Sequence, residues 1–400
     1  SSGAIGHDDT DVNNLDTAVN YLAASSGGPG MFLNETDIVS VQEVSTSISR
    51  VDNTGSVVDT VSDAQEDLRT NDNGNIVLTS GGTLTLTEGS LADSDGDTFA
   101  VKAAGSGNIL LSVSSGNIDI QSGIGAVSGN ISLDTDSGDI LQSDAGDIST
   151  SGTIDLLSSA SIIMSNGAYA TADNANIRYE ADADIALSTL DAGTGDVSII
   201  VGGSITDNGD SDVEVRAEGL RMEADGNIGE PDGTNNGLLE LSVNTLAAEA
   251  SGASGIYVSN DQDISISEVG QVAVHRVDNA GQVSVKQADS SLSDLQTLTN
   301  SGNVVLLASS GNISLNDGPD EDGLAVETSG SGNIRIEAEG DSAGVTLNAG
   351  VKGVSGNISV LATALIEFAD NVDLETGNQG TIDIESFTGN IDQADKSRII

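Results

Sequence analysis

Asp93-Ser94-Asp95-Gly96-Asp97 sets three carboxylates at alternate positions, the arrangement by which calcium loops gather oxygen ligands around one hard cation. The segment departs from an EF-hand loop, which needs glycine at its sixth position and glutamate at its twelfth. A second acidic segment, Asp317-Gly318-Pro319-Asp320-Glu321-Asp322, keeps the charge and loses the alternation. Asp93, Asp95, Asp97, Asp317, Asp320 and Asp322 are thus the candidate Ca2+ ligands, and the competing reading is a pair of solvated acidic loops. The glycine-rich calcium nonapeptide of exported toxins is absent.

Other chemistries find fewer residues. The chain has no cysteine, which excludes disulfides, thiolate metal sites and thiol catalysis. Its two histidines, His7 and His275, have no histidine neighbours with which to hold a metal. His275 stands in the alternating run Val272-Ala273-Val274-His275-Arg276, which points it outward. A polysaccharide lyase needs a base plus a cation to neutralise the substrate carboxylate, and a glycosidase needs carboxylates at a set separation. Carboxylates are everywhere here, so a pair carries no information, and the 12 basic residues are scattered. Only Arg50 and Arg276 hold one place within a longer match, Arg-Val-Asp-Asn, where an ion pair is the plainer reading. Catalysis is not expected, and a polysaccharide-active β-helix enzyme stands as the catalytic alternative. Four Tyr, four Phe and no Trp leave no aromatic platform for sugars.

The net charge of −51, from 63 acidic and 12 basic residues, argues against nucleic acid and anionic membranes as direct partners. Such a surface repels itself and attracts divalent cations. Charges on neighbouring coils lie within the screening length of about 8 Å, so cations or protons must neutralise some of them. No signal peptide and no membrane-spanning apolar run is visible.

The elements that would carry any site are repetitive. Gly-Asn-Ile opens at Gly74, Gly107, Gly116, Gly129, Gly226, Gly311, Gly332, Gly356 and Gly389, with Gly-Asp-Ile or Gly-Asn-Val variants between. The first two residues turn the chain, and the alternating apolar and polar residues that follow describe a strand with one buried face. The spacing of Gly107, Gly116, Gly129 and Gly138 gives a coil of about 22 residues. A longer repeat of about 226 residues is superposed on it: Leu22-Ala23-Ala24 returns at Leu246-Ala247-Ala248, and Arg50-Val51-Asp52-Asn53 at Arg276-Val277-Asp278-Asn279. Residues 1–223 form one copy and 224–400 a second that stops short, so the chain reads as a window on a larger tandem array. Val12 to Ala24, and Val61 to Arg69 with its partner Ser290 to Leu298, are short enough for helix or strand; the first is read as strand. The segments Gly89 to Asp97, Asn316 to Gly323, Asp207 to Asp212 and Glu230 to Asn236 are read as loops.

The run Asn227-Ile228-Gly229, Leu238-Leu239-Glu240-Leu241-Ser242-Val243-Asn244-Thr245-Leu246-Ala247-Ala248 and Gly255-Ile256-Tyr257-Val258-Ser259-Asn260, together with the Gly-Asn-Ile-Ser-Leu cassettes, resembles repeats of filamentous-haemagglutinin-like large bacterial exoproteins. The resemblance implies an all-β, right-handed parallel β-helix, extracellular or on the bacterial surface, serving as an adhesin or surface filament. It brings no catalytic residues. The expectation is a non-catalytic stalk whose partners are further copies of the same repeat, with self-association into a filament or surface layer as the rival. Ca2+ is the one cofactor considered, and the adhesion ligand is left open.

Overall fold

The computed structural model describes residues 3–6, 14–61, 64–89, 97–209, 212–231, 237–319, 321–377 and 379–400. Among them the fold is all-β, without helix, and its strands pair almost everywhere in parallel, as in a β-helix. The chain divides into two compact units. One holds residues 1–159, 167–171 and 275–284; the other holds 160–166, 172–274 and 285–400.

Three stacks of apolar side chains fill the coils of the first unit. Ile76, Ile109, Ile131 and Ile154 lie in register on one face. Val39, Leu84, Ile118 and Ile140 line the second, and Leu68, Val101, Ile124 and Ile148 the third. All twelve are fully buried. Each contributes roughly 1.5–3 kcal/mol by burial, which is how a thin core without aromatic bulk suffices. The second unit repeats the scheme with Val304, Ile334, Ile358 and Ile382 on one face, and Leu295, Val326, Val351 and Leu374 on another.

The Gly-Asn corner has two physical jobs. A Cβ on Gly129 would meet the Gly107 carbonyl at 1.8 Å, and one on Gly356 would meet that of Gly332 at 1.8 Å, so the stacked corners admit no side chain. The asparagine then ties one coil to the next. Asn75 accepts from the Asn108 amide, 33 residues on; Asn108 accepts from Asn130, 22 on; Asn130 accepts from Thr153, 23 on. The second copy rebuilds this ladder as Asn303, Asn333, Asn357 and Thr381, with steps of 30, 24 and 24. The unusually long steps absorb the acidic segments 89–97 and 316–323.

Two coils are longer still, and each throws out an antiparallel hairpin. The first hairpin pairs Ser47–Val51 with Val57–Val61, and the second joins Val272–Val277 to Val283–Asp289. Each is closed at its base by a bridge, Val44 to Gln65 in one and Val269 to Leu292 in the other. Between copies the coil changes shape. Val215–Ala224 and Leu239–Ala250 are straight strands of 10 and 12 residues paired side by side. The second of these stands where the first copy has three short strands, Leu15–Thr17, Tyr21–Leu22 and Ala24–Ser26. The segment read as strand before Ala24 is strand, and the undecided pair resolves to strand at Leu68–Thr70 and Leu295–Thr297.

Candidate functional site

Of the six candidate Ca2+ ligands, Asp97, Asp317 and Asp322 fall within the described residues. Asp93, Asp95 and Asp320 lie outside the described residues. Asp97 spends its two oxygens on cations of the chain itself, Arg69 at 2.5 Å and Lys102 at 2.5 Å, and accepts from the Phe99 amide at 3.1 Å. Burial pushes this carboxyl up, but the hydrogen bonds from Lys102 and Arg69 outweigh it and hold it below the usual range. Asp317 accepts from the Gly323 amide and Asp322 from the Leu324 amide, so both close their own loop.

Carboxylates converge elsewhere among the described residues. Asp207 and Glu214 flank one loop of a coil, Glu240 lies beside Glu214 on the next coil, and the three bring one oxygen each within 4.8 Å of one another. Burial, then the charges of Asp207 and Glu240, push Glu214 well above the carboxylate range, against the Glu240 amide, which donates to it at 2.6 Å. An all-oxygen trio of this kind either keeps a proton or suits a hard cation such as Ca2+. Separation of Glu240 from the other two by a whole coil is why a search along the sequence passes over it.

The most extensively built site is the seat of the second hairpin. Its turn is held by Asp278, which accepts from the Ala280 and Gln282 amides at 2.9 and 2.8 Å, with Gly281 at φ +68°. Val277 packs in a cluster with Phe32, Val77 and Leu110, all nearly or fully buried. The Val277 amide donates to Ser132 Oγ at 2.9 Å, the His275 amide to Thr153 Oγ1 at 2.8 Å, and Asn108 Nδ2 to the Gly281 carbonyl at 3.1 Å. Arg276 reaches Asp134 at 3.6 Å and Asp155 at 3.5 Å, the ion pair expected of it, and His275 faces outward as expected.

At its base the hairpin ends on Asp289, which receives Arg178 Nε at 2.9 and 3.1 Å and Ser198 Oγ at 2.6 Å. Arg221 Nη1 donates to Ser198 at 2.8 Å; Glu180 and Glu223 take the outer nitrogens of Arg178 and Arg221. Both guanidinium groups are buried to about 1% exposure, so this is a desolvated charge network in which three carboxylates surround two guanidinium groups. Sequence reading passed over Arg178 and Arg221 because their partner Asp289 lies 111 residues from Arg178.

Phe32, Val77, Leu110, Ser132 and Asp155 are thus one stripe, adjacent in register across successive coils, and covered by the hairpin. The same stripe exists in the second copy as Tyr257, Val305, Arg335, Ser359 and Asp383. There it is open. Arg335 is 48% exposed and leans on Glu337, Asp383 is exposed, and a groove of about 270 Å³ runs along Tyr257, Val305, Asn333, Arg335, Asn357 and Ser359. No family model, curated protein or solved structure matches this chain.

Proposed function

We propose that this chain is a non-catalytic structural segment, a stalk with an adhesive role, of a giant secreted or cell-surface bacterial repeat protein. The observation that carries the reading is the asparagine ladder. The same corner residue, in both copies, spends its side chain on the backbone of the next coil rather than on a ligand. The residues that recur most are those that allow another coil to be added, which is the logic of a solenoid whose product is length. The resemblance to filamentous-haemagglutinin-like repeats supplies the adhesive and extracellular part of the proposal. Acidic outer faces keep such stalks soluble and draw Ca2+ to them.

Small-angle scattering together with a screen against uronate polymers in Ca2+ tests it. An elongated monomer that releases no product is expected; a compact particle, or product release, overturns the reading. Ca2+ has a separate test in melting with the ion against a chelator, where an unmoved midpoint removes any stabilising role.

A further inference from the structure

We propose that the first hairpin and the open stripe from Val305 to Asp383 are the two halves of one interface, each made to receive the complementary half on another copy of this repeat. The proposal rests on the structural reading above only in requiring that repeat copies meet.

The template is inside the chain. The two hairpins share their turn chemistry: Asp52 accepts from the Thr54 and Ser56 amides at 2.8 and 2.9 Å, as Asp278 does from its own turn, and Gly55 sits at φ +79°. Their surroundings differ completely. Ile48, Val51, Val57 and Val58 are 55, 64, 64 and 51% exposed. Val274 and Val277, which correspond to Ile48 and Val51, are 0 and 2% exposed. A Cβ on Gly281 would meet Asn75 Nδ2 at 2.5 Å, whereas one on Gly55 meets nothing within 4 Å. A lone two-stranded hairpin is marginally stable in water, and this one leaves apolar side chains in solvent on both faces, Val51 beside Val57 on one and Ile48 and Val58 on the other.

The open stripe supplies what the first hairpin lacks. Val277 sits against Phe32, Val77 and Leu110; of the corresponding residues, Tyr257 is already packed with Leu238 and Leu307, and Val305 and the aliphatic stem of Arg335 are offered to Val51. Arg276 faces Asp155, and the counterpart of that pair is Arg50 with Asp383. Asn108 donates to the Gly281 carbonyl, and Asn333 is placed to do the same for Gly55. Shape, apolar contact and one charge pair therefore point to the same partner in the same orientation.

The absence of native cysteine makes the test direct. Val51→Cys and Arg335→Cys full-length chains are mixed and mildly oxidised, beside a control mixture of Val51→Cys with Val127→Cys; Val127 is 57% exposed and lies off the stripe. A disulfide-linked heterodimer at about tenfold the control yield is expected, an excess worth about 1.4 kcal/mol of association. Adding Arg50→Asp to the first chain should remove the excess, and Asp383→Arg in the second should restore it. Equal yields in the two mixtures, or an excess indifferent to the charge swap, overturn the proposal. All five positions are surface residues, and circular dichroism checks that each chain is folded. A monomer with elongated scattering would overturn the interface while leaving the stalk reading standing.

Discussion

The two hairpins are nearly the same object in two environments. Arg50-Val51-Asp52-Asn53 and Arg276-Val277-Asp278-Asn279 make the same turn with the same side-chain hydrogen bonds, yet one stands in solvent and the other is seated on coils. Local sequence fixes the turn, because an Asp side chain accepting two amides and a glycine at positive φ need nothing from elsewhere. Burial of the strands needs a stripe of coils beneath them.

That contrast is sharpest at Asp289. Asp289→Ala would leave Arg178 buried beside Ser198 with Glu180 alone to balance it, and truncating one partner of a buried pair typically costs about 3–5 kcal/mol. Hydrogen exchange of the amides of His275 and Val277 should report release of the second hairpin, while those of the first hairpin stay as they are. Retained protection would show that the hairpin is held without its charge network.

Apolar truncation is the next largest effect. Val277→Ala removes about 2 kcal/mol through lost burial and the cavity left among Phe32, Val77 and Leu110. Val51→Ala at the matching, exposed position should stay within about 0.5 kcal/mol in the isolated chain. Denaturation midpoints of the pair measure the difference, and equal losses would erase the distinction drawn here.

Alanine at the turn glycines divides two costs. Gly55→Ala and Gly281→Ala share the left-handed backbone penalty of roughly 1–2 kcal/mol. Only Gly281→Ala also displaces Asn75, and it should be the worse of the two, read from the same midpoints.

The last effect is one of pH, just beyond the first hairpin. Asp67 and its counterpart Asp294 occupy the left-handed region at φ 62° and 68°, and each passes its carbonyl to the preceding coil, at Ala24 and Ala248. Burial raises the Asp67 carboxyl to about 7, with the Arg69 hydrogen bond opposing. The folded state therefore prefers the proton. The contribution is complete below the ordinary value of 3.8 and is lost as pH rises from there through about 7. Asp67→Asn should flatten that part of the stability profile, measured as midpoint against pH; an unchanged slope would place the titration elsewhere.

Much of the fold was legible in the sequence, because Gly-Asn corners and alternating strands act over a few residues. The hairpins carried a signal of their own, a Val-Asp-Asn-x-Gly turn between alternating segments, which is how antiparallel pairs announce themselves. The carboxylates were harder to read. Spacing in the Asp93 segment suggested a loop of ligands, of which Asp97 alone lies among the described residues and pairs with Arg69 and Lys102, and that spacing did not point to Asp207, Glu214 and Glu240. In a solenoid, residues one coil apart are neighbours and adjacent residues along a strand face opposite ways, so linear spacing is the wrong ruler for a site.

By itself, then, the sequence determined the coil: where it turns, which face is buried, and that asparagine at each corner would recur. It also showed that the Arg-Val-Asp-Asn segment occurs twice; that each occurrence is a hairpin came from the structure. Only the tertiary structure decided that Val277 is core while Val51 is surface, that Asp155 is buried while Asp383 is open, and that Arg178 is held by a residue 111 positions away. The physical reason is range: φ/ψ preference and alternation belong to a residue and its neighbours in the chain, whereas desolvation belongs to whatever coil happens to lie beneath it.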